Sequence, residues 1–347
     1  MKIAILNVKV PFIRGGAEFL AEDLKAQLLK RGYEVDIIDM PFKWYPPERI
    51  IDSIYAWRTV DLTEVNGEKI DKVICLKFPA FYVKHSDKVV WLLHQHRQAY
   101  ELWNTPFGDL QNFPNGYRVK EIIMNCDNKF LREAKTIFSL SGVVADRLKS
   151  YNNIDSKVLC PPPPNYELFQ SGPFGDYIYY PSRIDQIKRQ LVLIEALRYT
   201  KNPVKVVLSG SGSEIYISKI IDFVKENDFK DRVSFMGHVS EDRKRELYSN
   251  SLGVYFGAYD EDYGYITLEA FLSGKPVIVH NDAGGPLEIV QDQENGFIIE
   301  NNPQQLAAVL DLLYENKQLA EKMGQSAFKT IAKRNINWDY IVRSLLS

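Results

Sequence analysis

The 347-residue chain has only three cysteines, Cys75, Cys126 and Cys160. They stand far apart and in no metal-binding spacing, which suits a reducing compartment. No stretch approaches the run of about 18 apolar residues that spans a membrane. The opening MKIAILNV is too short and too alternating for a signal peptide and reads as a first strand. Charge of one sign is also missing: the net charge is −2, so there is no electrostatic footprint for nucleic acid. The halves differ slightly. Residues 1–165 hold 23 Lys/Arg against 20 Asp/Glu, and the remainder holds 20 against 25. That mild basic excess is compatible with an anionic acceptor or a membrane surface. Finally, the chain lacks G-x-G-x-x-G after its first strand, because Val8 to Arg14 separate that strand from Gly15 and Gly16. This argues against a dinucleotide site.

What is present is an ordinary globular composition, 45% hydrophobic and 25% charged, in a chain long enough for two cores. Strand-like and helix-like patterns alternate. KIAILNV, EVDIIDM, KVICLKF, KVVWLLH and KTIFSLS read as strands, with a helix over 17–31 that ends at Gly32. The segment CPPPPNYELFQSGPFGD cannot be helix or central strand and reads as a linker. The pattern then restarts with YIYYP and runs through VKVVLSG, a helix over 214–226, VSFMG, LGVYFG, PVIVHN and FII. Repeated β-α-β signals predict an α/β fold of two Rossmann-like domains with parallel sheets. The expected domains are residues 1–165 and 166–325, with terminal helices over 326–347 packing back toward the first. A site between the two domains is the natural expectation.

The most informative segment is DEDYGYITLE, residues 260–269, which sets Glu261 and Glu269 eight positions apart with Gly264 between them. A strand, an acidic glycine-containing loop and a helix start can hold phosphate, and the carboxylates can accept hydrogen bonds from sugar hydroxyls. Arg183 and Lys188 follow the strand YIYYP and could clamp a diphosphate; alternatively they are exposed loop cations. Gly15, Gly16 and Ala17 could admit a ligand to backbone amides, or form a plain turn. Asp39 ends the second strand as a ribose-binding acid would, although a cap or surface acid is the commoner role. Gly210 and Gly212 repeat the strand–glycine–helix pattern. Gly237, His238 and Val239 could offer a backbone bond to a nucleobase or be a simple loop. His94 and His96 follow the strand VVWLL and face the ligand side of a parallel sheet by the general rule. Their H-x-H spacing has no third partner, which disfavours metal. The acidic triplet Asp260-Glu261-Asp262 lies deep in the second half, before a helix, where a metal-binding D-x-D is not expected. The stretches FKWYPPERIIDSIYAW and YELWNTPFGDLQNFPNGY read as aromatic loops packed on their own domain, or as an acceptor surface.

Taken together, these residues resemble the retaining glycosyltransferases of the GT-B fold, family 4 (glycosyl transferases group 1). The resemblance runs over nearly the whole chain and rests on the order of several motifs. The E-x7-E element matches Glu261 and Glu269, with Tyr263-Gly264 for the usual Phe-Gly. The Arg-x4-Lys element matches Arg183 and Lys188, with Ser182 for the preceding glycine. Gly15 to Glu18 match Gly-Gly-Ala-Glu, and His94 and Ser141 match a strand-end His and a Ser. Residues 284–290, GGPLEIV, match G-G-x-x-E-I-V, and Asn295-Gly296 a following turn; Pro161 to Pro164 depart from the usual Pro-Asn-Gly-Val-Asp. The resemblance implies that Arg183 and Lys188 neutralise the leaving diphosphate. Glu261 would bind donor-sugar hydroxyls and Glu269 the ribose, while amides near Tyr263, Gly264 and Tyr265 hold phosphate or sugar. His94 would line the sugar.

The implied activity is metal-independent retaining transfer from a nucleotide-diphosphate sugar, a UDP-sugar by the family's habit, to a saccharide or lipid-linked acceptor. No cofactor is expected. Polysaccharide or glycolipid synthesis in the cytoplasm, with peripheral contact at the inner membrane face, would suit it. Competing readings are a nucleotide-sugar epimerase or a non-catalytic nucleotide-sugar binder of the same fold, and a nicotinamide-dependent oxidoreductase.

Overall fold

The structure, a computed structural model, describes residues 1–334 and 336–347. The chain divides into two compact units, Met1–Pro164 with Ile336–Ser347, and Asn165–Asn335.

In the first unit, β1 (Lys2–Lys9), α1 (Gly16–Lys30) and β2 (Glu34–Pro41) are followed by α2 (Glu48–Thr59), a two-stranded hairpin of β3 (Glu64–Val65) and β4 (Glu68–Lys69), and β5 (Lys72–Cys75). Then come β6 (Lys88–Leu92), α3 (Gly116–Phe130), β7 (Thr136–Ser139), α4 (Gly142–Asn152) and β8 (Lys157–Val158). The sheet order is β2-β1-β5-β6-β7-β8, with every pairing parallel. All residues of β5 and β6 are buried, as strands covered on both faces must be.

The second unit holds β9 (Tyr177–Pro181), α5 (Gln190–Ala196), β10 (Lys205–Ser209), α6 (Glu214–Glu226), β11 (Val233–Phe235) and α7 (Glu241–Ser249). It continues with β12 (Gly253–Phe256), α8 (Tyr265–Leu272), β13 (Val277–His280), β14 (Gly296–Ile299), α9 (Pro303–Glu315) and α10 (Lys317–Ala332). Its sheet, β11-β10-β9-β12-β13-β14, is again wholly parallel. Helix starts follow local chemistry. Ser141 caps α4 by accepting from the Val144 N–H, Ser240 caps α7, and Asn302 caps α9 just ahead of Pro303.

Three sequence expectations need revision. The terminal helices do not move as one block over 326–347. Helix α10 stays in the second unit, packed on α8, and only α11 (Trp338–Leu346) belongs to the first. There Trp338 meets the ring of Trp91 edge-on at 6.4 Å, and Ile341, Val342 and Leu345 are buried. Second, the aromatic stretch 42–57 is not all loop. Ile50, Ile54 and Trp57 fall at i, i+4 and i+7 and bury one face of α2. Third, α3 was not anticipated; Val119, Ile123 and Asp127 form its buried stripe. Among the described residues no helix is long and apolar enough to cross a membrane.

Candidate active site

In the second unit, strand order reverses between β9 and β12. Loops leaving the carboxyl ends of strands on either side of such a reversal diverge and open a crevice. The loop after β9 carries Arg183 and Lys188, and the loop after β12 carries 260–264. Lys188 ends a short turn opened by Asp185, whose carboxylate accepts from the Ile187 N–H at 3.1 Å. The Lys188 carbonyl accepts from the buried Tyr180 hydroxyl at 2.6 Å. So anchored, the Lys188 ammonium forms an ion pair with Glu261, the two side chains being 16% and 23% exposed. Arg183 lies outside this pair: its side chain is 64% exposed and 3.5 Å from Asp185. The next residue, Arg189, escaped the sequence reading. It grips Asp282 through two bonds of 2.7 Å and lies 5.2 Å from the Tyr259 ring, tying the loops after β9 and β13 together.

Backbone bonds fix Glu261. Its N–H donates to the Ala283 carbonyl at 2.8 Å, its carbonyl accepts from the Gly285 N–H at 2.7 Å, and the Asp260 N–H donates to Asp282 at 2.8 Å. The paired glycines make this approach feasible. A Cβ on Gly284, where φ is +72°, would lie 2.5 Å from the Glu261 carbonyl oxygen. Gly264 then takes φ +87°, and a Cβ there would lie 2.7 Å from the Phe256 ring and 2.9 Å from Pro286. Helix α8 starts immediately afterwards at Tyr265, whose ring lies edge-on to Tyr263 at 5.4 Å. The start of α8 therefore ends the loop that carries Glu261, the partner of Lys188, a placement favourable to anionic oxygen.

Glu269, one turn further along α8, is a different kind of carboxylate. It is 5% exposed and accepts from the Lys244 ammonium at 3.0 Å and the Tyr248 hydroxyl at 2.7 Å. Burial opposes the charge on Lys244, but Glu269 and Glu241 outweigh it and hold the ammonium above its usual range. An ionised carboxylate has about four lone-pair sites, so acceptor capacity remains for a hydroxyl. Lys244 and Tyr248 also escaped the sequence reading, since α7 carries no motif of its own.

The structure gives the remaining glycines a packing role. Cβ atoms on Gly210 and Gly212 would lie 2.0 Å from the Ser182 oxygen and 1.9 Å from the Ile184 oxygen. These glycines bring the loop after β10 against the loop that bears Arg183 and Lys188. The Gly210 N–H donates to the Gly237 carbonyl at 2.7 Å. His238 is exposed beyond β11, and Val239 is half-buried.

In the first unit the order reverses between β1 and β5. Gly15 is the N-cap of α1, and its N–H donates to the Glu18 carboxylate at 2.8 Å; Gly16 is the first helical residue. The amide of Gly15 is thus held by its own helix. Asp39 accepts from the Asn7 side-chain amide at 3.1 Å across the β1–β2 pair. His94, after β6, donates from Nδ1 to the Gln95 carbonyl at 2.6 Å. His96 takes another path: it packs on Phe78 and Phe42, at 5.1 and 6.2 Å between ring centroids. Burial, with His94 nearby, pushes its pKa down to about 3, so it stays neutral. Among the described residues no group of three or more His, Cys, Asp or Glu is placed to hold a metal ion.

A family model described as glycosyl transferases group 1 matches residues 171–330, nearly all of the second unit. The second unit thus carries the sequence pattern of the glycosyl transferases group 1. The uncharacterized glycosyltransferase MJ1607 of Methanocaldococcus jannaschii is 28% identical over 41% of this chain, which spans 36% of that protein. Spore coat protein SA of Bacillus subtilis is 24% identical over all of this chain and 98% of its own length. The crystal structure of Anabaena Alr3699/HepE in complex with UDP and glucose superposes over all of both chains, with a TM-score of 0.72 and 19% identity. That likeness, with a parallel six-stranded sheet in each unit, places this chain in the GT-B fold.

Proposed function

We propose that the protein is a metal-independent, retaining glycosyltransferase that moves a sugar from a UDP-sugar to a saccharide or lipid-linked acceptor. The observation that carries this reading is the Lys188–Glu261 pair in the crevice loops of the second unit, beside the start of α8. Breaking the bond between the sugar and the diphosphate sends its electron pair to the diphosphate. Lys188, Arg183 and the first turn of α8 stabilise the charge that builds there. With two cations and a helix terminus supplying positive potential, a divalent metal has no required task. Glu261 accepts from donor-sugar hydroxyls and Glu269 from the ribose. The acceptor oxygen bonds to the anomeric carbon on the face the diphosphate leaves, and its proton passes to the departing phosphate. UDP as carrier is supported by the UDP in the HepE complex. A role in polysaccharide or glycolipid synthesis at the cytoplasmic membrane face fits the mild basic excess of residues 1–165.

The test is a thermal-shift comparison of UDP, GDP and ADP, followed by product analysis with the UDP-sugar that binds. A ligand selective for the folded state raises Tm by mass action. UDP should stabilise most, turnover should persist in excess EDTA, and the product's anomeric proton should match the donor's configuration. Loss of all turnover in EDTA, or an inverted product, would overturn the metal-independent or retaining assignment respectively.

A further inference from the structure

Helix α3 carries a fully buried acid, Asp127, at the third position of an otherwise apolar stripe. A carboxylate there is costly unless hydrogen-bonded. Three donors converge on it. The Tyr82 hydroxyl lies at 2.5 Å, the Tyr100 hydroxyl at 2.6 Å and the Gln95 amide at 3.0 Å. Burial pushes the acid up to about 6, and the three donors pull the other way. Its partners are donors only in this arrangement, as an ionised carboxylate requires.

The network leads to the site loop. Gln95 is 6% exposed, and its amide also donates to the Asn152 side-chain oxygen at 2.8 Å. Asn152 in turn donates to Asn128 at 2.8 Å and to the Tyr100 hydroxyl at 3.3 Å. Gln95 is therefore pinned to α3 and α4, while the following His96 is packed on Phe78 and Phe42. The Gln95 carbonyl, held by these anchors, accepts from Nδ1 of His94 at 2.6 Å. That bond places the ring proton on Nδ1 and makes Nε2 the acceptor.

We propose that Asp127 is a positioning residue for His94: through the side chain of Gln95 it fixes the peptide whose carbonyl sets the tautomer and orientation of the His94 ring. The role in turnover rests on the glycosyltransferase reading above; the effect on the tautomer does not. Asp127→Asn keeps the size but turns one oxygen into a donor, so the bond from the Tyr82 hydroxyl must reverse or be lost and the network rearranges. Gln95→Met removes the same link while sparing the tyrosine contacts, and serves if Asp127→Asn does not fold.

The experiment has two arms. Long-range ¹H–¹⁵N spectra, with His94 assigned by His94→Ala, should show the Nδ1–H tautomer in the wild type and a mixture in either variant. Steady-state kinetics with the UDP-sugar should show kcat lowered about tenfold, with KM little changed, as a misaimed group costs. That loss should vanish when either substitution is made in a His94→Ala background. An unchanged His94 tautomer in both variants, or an equal kcat loss with and without His94, overturns the proposal. A wild type with the Nδ1–H tautomer but no glycosyl transfer would refute the function while leaving the tautomer arm to decide the network.

Discussion

Replacing Lys188 by Met tests the chemistry most directly. The side chain is 16% exposed, ends on Glu261 and lies 5.7 Å from the Phe256 ring centroid, so a Met of similar length fills the space without the charge. Two losses follow, of different size. A preorganised donor aimed at developing negative charge contributes about 3–4 kcal/mol to a transition state. At 1.36 kcal/mol per factor of ten, that is roughly a 10²–10³-fold loss in kcat. The ground-state loss is smaller. Glu261 is 23% exposed and keeps access to water, so the broken ion pair should cost about 1 kcal/mol or less of stability. The variant should therefore melt close to the wild type and yet turn over slowly. Lys188→Arg keeps the charge but spreads it over a planar fork, and should recover only part of the rate. Steady-state rates with the UDP-sugar, beside a melting curve, provide the assay. A Lys188→Met enzyme within about threefold of the wild-type kcat would refute the reasoning, since no term of about 3 kcal/mol could then reside in that ammonium.

Gly264→Ala should cost about 2–4 kcal/mol in urea melts: roughly 1–2 for a non-glycine residue in left-handed backbone and the rest for the crowding of Phe256 and Pro286. An unchanged midpoint would mean that the loop relaxes freely. Glu269→Gln leaves Lys244 its pair with Glu241 but weakens the acceptor proposed for the ribose; on that proposal UDP affinity measured by calorimetry should fall about tenfold while the kcat at saturation holds. Asp127 titrates near 6 when folded, above its ordinary 3.8, so the folded chain holds that proton more tightly than the unfolded one. The contribution of this group to stability should therefore fall as pH rises from about 4 to about 6 and then level off, and Asp127→Asn should remove that slope from a series of denaturant melts.

Much of the architecture was legible in the sequence because parallel strands buried on both faces leave dense apolar runs, as in KVICLKF and LGVYFG. Glycine punctuation was legible too, though its meaning was not. Gly284 and Gly285 stood out as a motif, while their task, letting the loop after β13 lie against the backbone of Glu261, depends on two strands pairing side by side. Helix α3 was missed because Asp127 sits on its buried stripe and interrupts the apolar period, and α2 because its helical spacing lies among prolines and aromatics.

By itself, the sequence determined the two βα repeats and the break near the proline run, and it singled out Lys188, Glu261, Glu269 and His94 as candidates, since periodicity and loop chemistry are local properties. Tertiary structure decided which of these meet. Lys188 reaches Glu261 across 73 residues, Arg189 reaches Asp282 across 93, and Gln95 reaches Asp127 across 32. Such pairings depend on strand order, a property of the assembled sheet that no local stretch of chain encodes.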